Sequence, residues 1–234
     1  MADTEHVTRT LKVGRDATLW LNSFSGRVAI VGSDEPDVTI DATRHGTRNQ
    51  LDRVRLDIQS DGSRVRIDAN QHDTWWFFWG RYDAVETDFD IKVPRRTNLT
   101  IKLFSASLDV QGVQGSHNIE TFSSYAKLDG VTGPIRGQSF SGPFEIRAAA
   151  WRDDQSIVID TFSGSIDLRL PPAANGTVEF DSFSGHLSSS SPLLFESGRR
   201  NRFTGRLGPV SASNAGGAGS VRVHTFSGNL TIDH

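Results

Sequence analysis

Hydrophobic and polar residues alternate along most of this chain, and the alternation changes phase at a recurring tripeptide. Val221, Val223 and Thr225 occupy every second position. Phe226 follows, and Gly228, Leu230 and Ile232 then alternate in the opposite phase. The same slip separates Ile157, Ile159 and Thr161 from Phe162, Gly164, Ile166 and Leu168. It also separates Leu99, Ile101 and Leu103 from Phe104, Ala106, Leu108 and Val110, and Leu19, Leu21 and Ser23 from Phe24, Gly26, Val28 and Ile30. Strict alternation is the mark of a strand. On a flat strand a one-residue slip turns every later side chain to the wrong face, and a bend or bulge turns them back. Each unit therefore predicts strand, corner, strand, with the Phe just past the corner and a small residue two positions on to relieve crowding.

The tripeptide recurs as Phe24-Ser25-Gly26, Phe140-Ser141-Gly142, Phe162-Ser163-Gly164, Phe183-Ser184-Gly185 and Phe226-Ser227-Gly228. Looser copies are Phe104-Ser105-Ala106, Phe122-Ser123-Ser124 and Phe203-Thr204-Gly205, and from Phe104 onward the copies lie 18, 18, 22, 21, 20 and 23 residues apart. A period near 20 residues signals a stack of units that complete one another. The fold class expected is all-β, a parallel β-helix or solenoid with coils of about 20 residues. Strands of successive coils pair roughly 4.8 Å apart, so each position becomes a column. The Phe column is expected to run through the core. The hydroxyl column after it (Ser25, Ser105, Ser123, Ser141, Ser163, Ser184, Thr204 and Ser227) is expected to hold the corners in register. No copy differs in a way that suggests a catalytic serine.

Residues 1–97 form a less regular part that shares the core, and residues 98–234 the regular coils. In the first part a strand is expected at Val38-Thr39-Ile40. Leu51, Val54, Leu56 and Ile58 lead through Ser60-Asp61-Gly62-Ser63 to Val65, Ile67 and Ala69, which reads as a hairpin. Thr87–Pro94 is a strand that Pro94 ends. Ser188–Asn201 and Ser211–Gly219 read as longer loops, and no helix is expected. Leu230-Thr231-Ile232 is expected to close the stack, which leaves that end open to pairing with another copy.

Composition narrows the function. Lys and Arg number 25 against 28 Asp and Glu, a formal charge of −3, so nothing favours nucleic acid. With Cys 0, disulfides and thiolate metal sites are excluded. No run of 18 apolar residues occurs, and the start lacks the pattern of a secretory leader. As given, the chain is expected in the cytoplasm, or exported if a leader has been trimmed away.

The segment Thr74–Tyr82 holds three of the 5 Trp. Alternate residues of a strand face opposite ways, so Trp75, Trp76, Phe77, Phe78 and Trp79 cannot all enter one core. Together with Tyr82 they form the candidate interaction patch, since Trp and Tyr dominate interface hot spots. A lid over the end of the core, contact with a membrane surface and a sugar-stacking platform remain open for the same residues. Two positions before each Phe lie Asn22, Lys102, Glu120, Gln138, Asp160, Asp181 and His224, which should face outward. Asp160 and Asp181 are then neighbours in adjacent coils, and paired carboxylates suit Ca²⁺ or acid–base chemistry, although two solvated acids serve the same pattern. No histidine spacing supports zinc, and no phosphate-binding glycine motif is present. No metal, cofactor or catalytic residue is assigned.

The order of these features resembles the bacterial putative-adhesin family of β-strand-repeat proteins, a domain of unknown function. The matching parts are the corner within Leu19–Ile30, the strand Asp37–Ala42, the hairpin Arg53–Asp68, the strand Phe89-Asp90-Ile91-Lys92-Val93-Pro94 and the repeated strand–Ser-Gly–strand units. They span roughly residues 7–234. The resemblance implies a right-handed β-solenoid without assigned catalytic residues, and some relatives sit in bacterial envelope-stress systems. The function expected is a non-enzymatic scaffold or adhesin-like interaction module that binds a protein partner or itself. The alternative is a carbohydrate-binding or carbohydrate-active β-helix protein.

Overall fold

The computed structural model describes residues 3–72, 85–152, 155–199, 202–208 and 219–234. Its strands run β1 Asp3–Lys12, β2 Asp16–Ser33, β3 Asp37–Gly46, β4 Val54–Asp61, β5 Arg64–His72, β6 Glu86–Pro94 and β7 Arg96–Gln111. Then come β8 His117–Thr121, β9 Ala126–Val131, β10 Ile135–Ser139, β11 Phe144–Ala148, β12 Ser156–Thr161 and β13 Ile166–Arg169. The last are β14 Gly176–Ser182, β15 Leu187–Ser189, β16 Leu193–Arg199, β17 Arg202–Leu207, β18 Gly219–Thr225 and β19 Leu230–Asp233. The fold is all-β, and the strands join into one nearly closed, barrel-like sheet.

The sheet has two long faces that meet at the Phe corners. On the first face β5, the front half of β2, the front half of β7, β8, β10 and β12 stack in parallel. On the second face β6, the back halves of β2 and β7, β9, β11 and β13 do the same. Single bridges from Arg96 to Gln114 and from Gln114 to Thr132 make a short third side. Alternation does what the sequence predicts within each strand. Leu19, Leu21, Leu99, Ile101, Ile119, Ile135, Ile157 and Ile159 point inward from the first face, and Val28, Ile30, Leu108, Val110, Leu128, Ile146, Ile166 and Leu168 from the second. All are buried, and each full burial of such a side chain is worth about 1.5–3 kcal/mol. Antiparallel strands finish the low-numbered end: β4 flanks β5, and β3 with β1 flanks β6.

At the other end the chain does not add coils in sequence order. β18 pairs in parallel with β12 on one side and β14 on the other. β19 lies likewise between β13 and β15. The rung formed by β18 and β19 is therefore inserted between two rungs made earlier in the sequence. Leu230-Thr231-Ile232 does not close the stack, so the expected open edge at that strand is wrong. The true end carries β15 on one face. On the other, β17 and β16 fold back antiparallel onto β14. Ser188–Asn201, expected as a loop, thus holds the end of β15 and all of β16. The copy Phe203-Thr204-Gly205 is no corner and lies within β17, where Phe203 packs against the core. One short helix, α1 at Arg48–Arg53, was not expected. It is set by a capping box, in which Thr47 and Gln50 each bond the other's backbone. The hairpin of β4 and β5 turns at Asp61-Gly62 as expected.

The Phe column is the main correction. Phe104, Phe122, Phe140, Phe162 and Phe226 are 45–48% exposed, so they stand outside the core. The corner uses two outward residues, Phe and Ser, and the inward phase resumes at the small residue after them. That small residue is where rungs come closest. A Cβ on Gly142, Gly164 or Gly228 would run into the backbone carbonyl oxygen of Ser124, Gly142 or Gly164 respectively. No ring fits inside such a corner.

The corner hydroxyl is also displaced by two positions from the one expected. The residue before each Phe, not the one after, is buried and accepts a hydrogen bond from the Gly N–H: Ser139 from Gly142 at 2.7 Å, Thr161 from Gly164 at 3.0 Å, Ser182 from Gly185 at 2.7 Å and Thr225 from Gly228 at 2.7 Å. The following Ser works through its backbone, as when Ser141 N–H donates to Phe122 O at 2.9 Å and Ser163 N–H to Phe140 O at 3.1 Å. Thr161→Val is therefore expected to cost about 1–2 kcal/mol, because it strips the partner from a buried N–H. Ser163→Ala is expected to change stability by less than about 0.5 kcal/mol. Urea unfolding of the two variants checks this, and the reverse ranking would restore the outer hydroxyl column.

Candidate functional site

Because the corners stack, the seven Phe rings do too. In spatial order they are Phe24, Phe104, Phe122, Phe140, Phe162, Phe226 and Phe183. Adjacent centroids are 4.7, 4.8, 5.0, 5.1, 5.0 and 5.0 Å apart, with ring planes within 11° of parallel. The rung spacing imposes this face-to-face geometry. Ring faces are consumed by their neighbours, and the stripe presents ring edges to the outside. Phe183 ends the series at 66% exposure, and among the described residues no further ring stacks on its outer face.

Polar rows flank the stripe. The residues two before each Phe face outward as expected and follow the spatial order Asn22, Lys102, Glu120, Gln138, Asp160, His224, Asp181. His224 thus sits between Asp160 and Asp181, so the two carboxylates are not neighbours and the calcium pair fails. Lys102 reaches Glu120 at 2.7 Å, and Arg202 holds Asp181 at 3.0 Å. Among the described residues no cluster of three His, Asp or Glu is gathered to hold a metal ion. Beyond the stripe, on the second face, Tyr125 donates a hydrogen bond to the Glu145 carboxylate. That bond, more than any other influence, pushes the phenol up to about 12 and lowers Glu145.

One buried polar group stands out. His117 opens β8 in the core column between Leu99 and Ile135 and is 1% exposed. Its Nε2 meets the Thr132 carbonyl at 3.3 Å, while Nδ1 has no partner among the described residues. Burial pushes the imidazole down to about 4, opposed by the bond to Thr132. On the outside of the same strands a shallow groove is lined by Asn118, Glu120, Arg136 and Gln138.

The predicted patch of Trp75, Trp76, Phe77, Phe78, Trp79 and Tyr82 lies outside the described residues. Its flanks are described. Asp68 pairs with Asn22 and Glu86 with Ser25, so the chain leaves β5 and enters β6 beside the Phe24 corner. The exposed Phe stripe itself was missed as a surface feature, although its tripeptide was the first signal in the sequence.

These observations define an all-β protein of stacked repeats. The chain belongs to the Toastrack DUF4097 family, whose model matches residues 98–233. Across 99% of both chains it superimposes on a structure described as a putative cell adhesion protein from Clostridium sporogenes, with a TM-score of 0.55 and 11% identity. A putative adhesin from Bacteroides fragilis aligns over 97% of both chains at a TM-score of 0.44 and 11% identity. At such identity the first likeness speaks for the fold alone, and the second carries no argument. No curated protein matches the chain.

Proposed function

We propose that this protein is a non-enzymatic, adhesin-like interaction module, wound as a right-handed solenoid. Parallel crossovers are right-handed in about 98% of cases, which supports the winding. The observation that carries the function is the exposed Phe stripe. Six of the seven rings, all but Phe24, leave roughly half of their surface open or more, and a ring of this size offers on the order of 200 Å². Six rings therefore expose on the order of 600 Å², the upper range for the largest apolar patch on a monomer. The aromatic residues Trp75–Tyr82 are proposed to extend the same interaction surface. The names of the adhesin-like structural neighbours agree with this reading, and a place in the bacterial envelope belongs to the same proposal. Carbohydrate binding is the weaker alternative, because sugars stack on ring faces and here the faces are already paired.

Beads coated with the protein are expected to cluster or to attach to bacterial surfaces. Beads coated with Phe104→Ser/Phe122→Ser/Phe140→Ser protein are expected to do neither, and no polysaccharide in a broad panel is expected to be cleaved. Turnover of a polysaccharide, or adhesion unchanged in a folded triple variant, would overturn the proposal.

A further inference from the structure

We infer that the partner of the Phe stripe is a second copy of this chain, docked stripe to stripe in parallel; this rests on the interaction-module reading above. Three observations lead there. The first is area. Two stripes of this kind, covering each other, bury on the order of 1,200 Å², the lower bound of specific stable interfaces. The adjoining rows of exposed Ser105, Ser123, Ser141 and Ser163 add to that. The second is period. The rings repeat every 4.7–5.1 Å over six intervals. A partner that meets all of them needs the same repeat along a straight ridge, and another copy has it by construction.

The third observation is charge, which also selects the direction. An antiparallel pairing sets the row before the stripe against itself in reverse, so that Glu120 meets Asp160 of the other copy and Lys102 meets its His224. Parallel pairing, with the two-fold axis along the stack, sets that row against the row after the stripe. Asp181 then lies beside His186, Asp160 beside Ser165 and His224 beside Asn229, so two of the acids gain a donor, while Glu120, already held by Lys102, lies beside Tyr125, whose O–H is given to Glu145. Repulsion between like charges at an interface is a strong selector of register, and the isologous arrangement closes at two copies. A lipid surface fits less well, because Glu120, Asp160 and Asp181 run beside the stripe and repel anionic headgroups.

The test is absolute mass by light scattering over roughly 1–100 µM protein, an ordinary affinity range. Wild type is expected as a dimer. Ser123→Arg/Ser141→Arg keeps every ring and crowds the ridge, so it is expected to be a monomer with an unchanged melting curve. Because the chain has no cysteine, engineered cysteines give a clean report on direction. Under mild oxidation Lys102→Cys mixed with Ser107→Cys is expected to cross-link in parallel pairing, which sets the row before the stripe against the row after it. An antiparallel dimer would instead cross-link Ser105→Cys mixed with Ser227→Cys. A monomeric wild type, or a Ser123→Arg/Ser141→Arg variant that stays dimeric, would sink the inference. Cross-linking only of Ser105→Cys with Ser227→Cys would overturn its direction. A monomer whose coated beads still attach to cells would refute self-pairing while leaving the interaction module intact.

Discussion

Removal of residues 219–234 is expected to unfold the C-terminal half of the stack, not merely to shorten it. Those residues form the rung inserted between β12–β13 and β14–β15. Val221, Val223, Leu230 and Ile232 are all at most 1% exposed. At about 1.5–3 kcal/mol each, their burial amounts to roughly 6–12 kcal/mol, which is comparable to the whole stability of a typical domain. The deletion also takes Phe226 out of the ring stack and leaves β14 without its parallel partner. Removing residues 3–12 is the useful contrast. Among the described residues β1 pairs only with β3, and its Val7 and Leu11 are half-buried. That deletion is expected to lower the melting temperature while the cooperative transition survives. If deletion of 219–234 cost less than about 2 kcal/mol by urea unfolding, with the transition still cooperative, the inserted rung would be wrong.

Acid is expected to destabilise the protein through His117, and His117→Leu is expected to remove that part of the acid sensitivity. The folded imidazole has its pKa lowered to about 4 from 6.5 by burial. Above pH 6.5 it is neutral in both states and its contribution is fully present. As the pH falls from 6.5 towards 4, the unfolded chain takes up a proton that the folded one refuses, so stability falls with pH across this window. The loss approaches roughly 3 kcal/mol near pH 4. Leu suits the site, since the column neighbours are Leu99 and Ile135, and it also removes the unpartnered Nδ1. Urea unfolding at pH 7 and pH 4.5 should show the stability gap between variant and wild type widening at the lower pH. Parallel pH profiles for the two proteins would disprove the assignment.

Much of the fold was legible because alternation is a direct readout of which side chains face the core. Every strand read from alternation at the repeats is present, as are the hairpin through Gly62 and the strand ending at Pro94. The orientation of Phe was not legible from the slip alone. A bulge that turns Phe inward and a corner that leaves both Phe and Ser outside give the same later phase. The deciding signal lay one residue earlier, in the Ser or Thr that caps the Gly three positions on, as in Thr161 with Gly164. Helix α1 had a local signal too, the pair Thr47 and Gln50. The inserted rung had none. Pairing of Ile157 with Val221 instead of Val178 is a choice between two equally good β-formers, and sequence period orders them only by proximity. The same limit applied to the candidate site: Asp160 and Asp181 were adjacent by period and separated by His224 in space. What the aromatic residues Trp75–Tyr82 contact was not readable from their type, since buried and interfacial aromatics have the same composition.

The inserted rung has a consequence in time. A ribosome delivers β12, β13, β14 and β15 before it delivers β18 and β19. Until residues 219–233 emerge, the nascent chain holds two strand edges that face a vacancy one rung wide. Such edges recruit any extended chain at hand, and long-range pairing is slow to form. A repeat stack built in sequence order commits from whichever unit folds first, but here the committing event is delivery of β18 and β19. A nascent chain halted before them is therefore expected to hold a sticky, half-open intermediate.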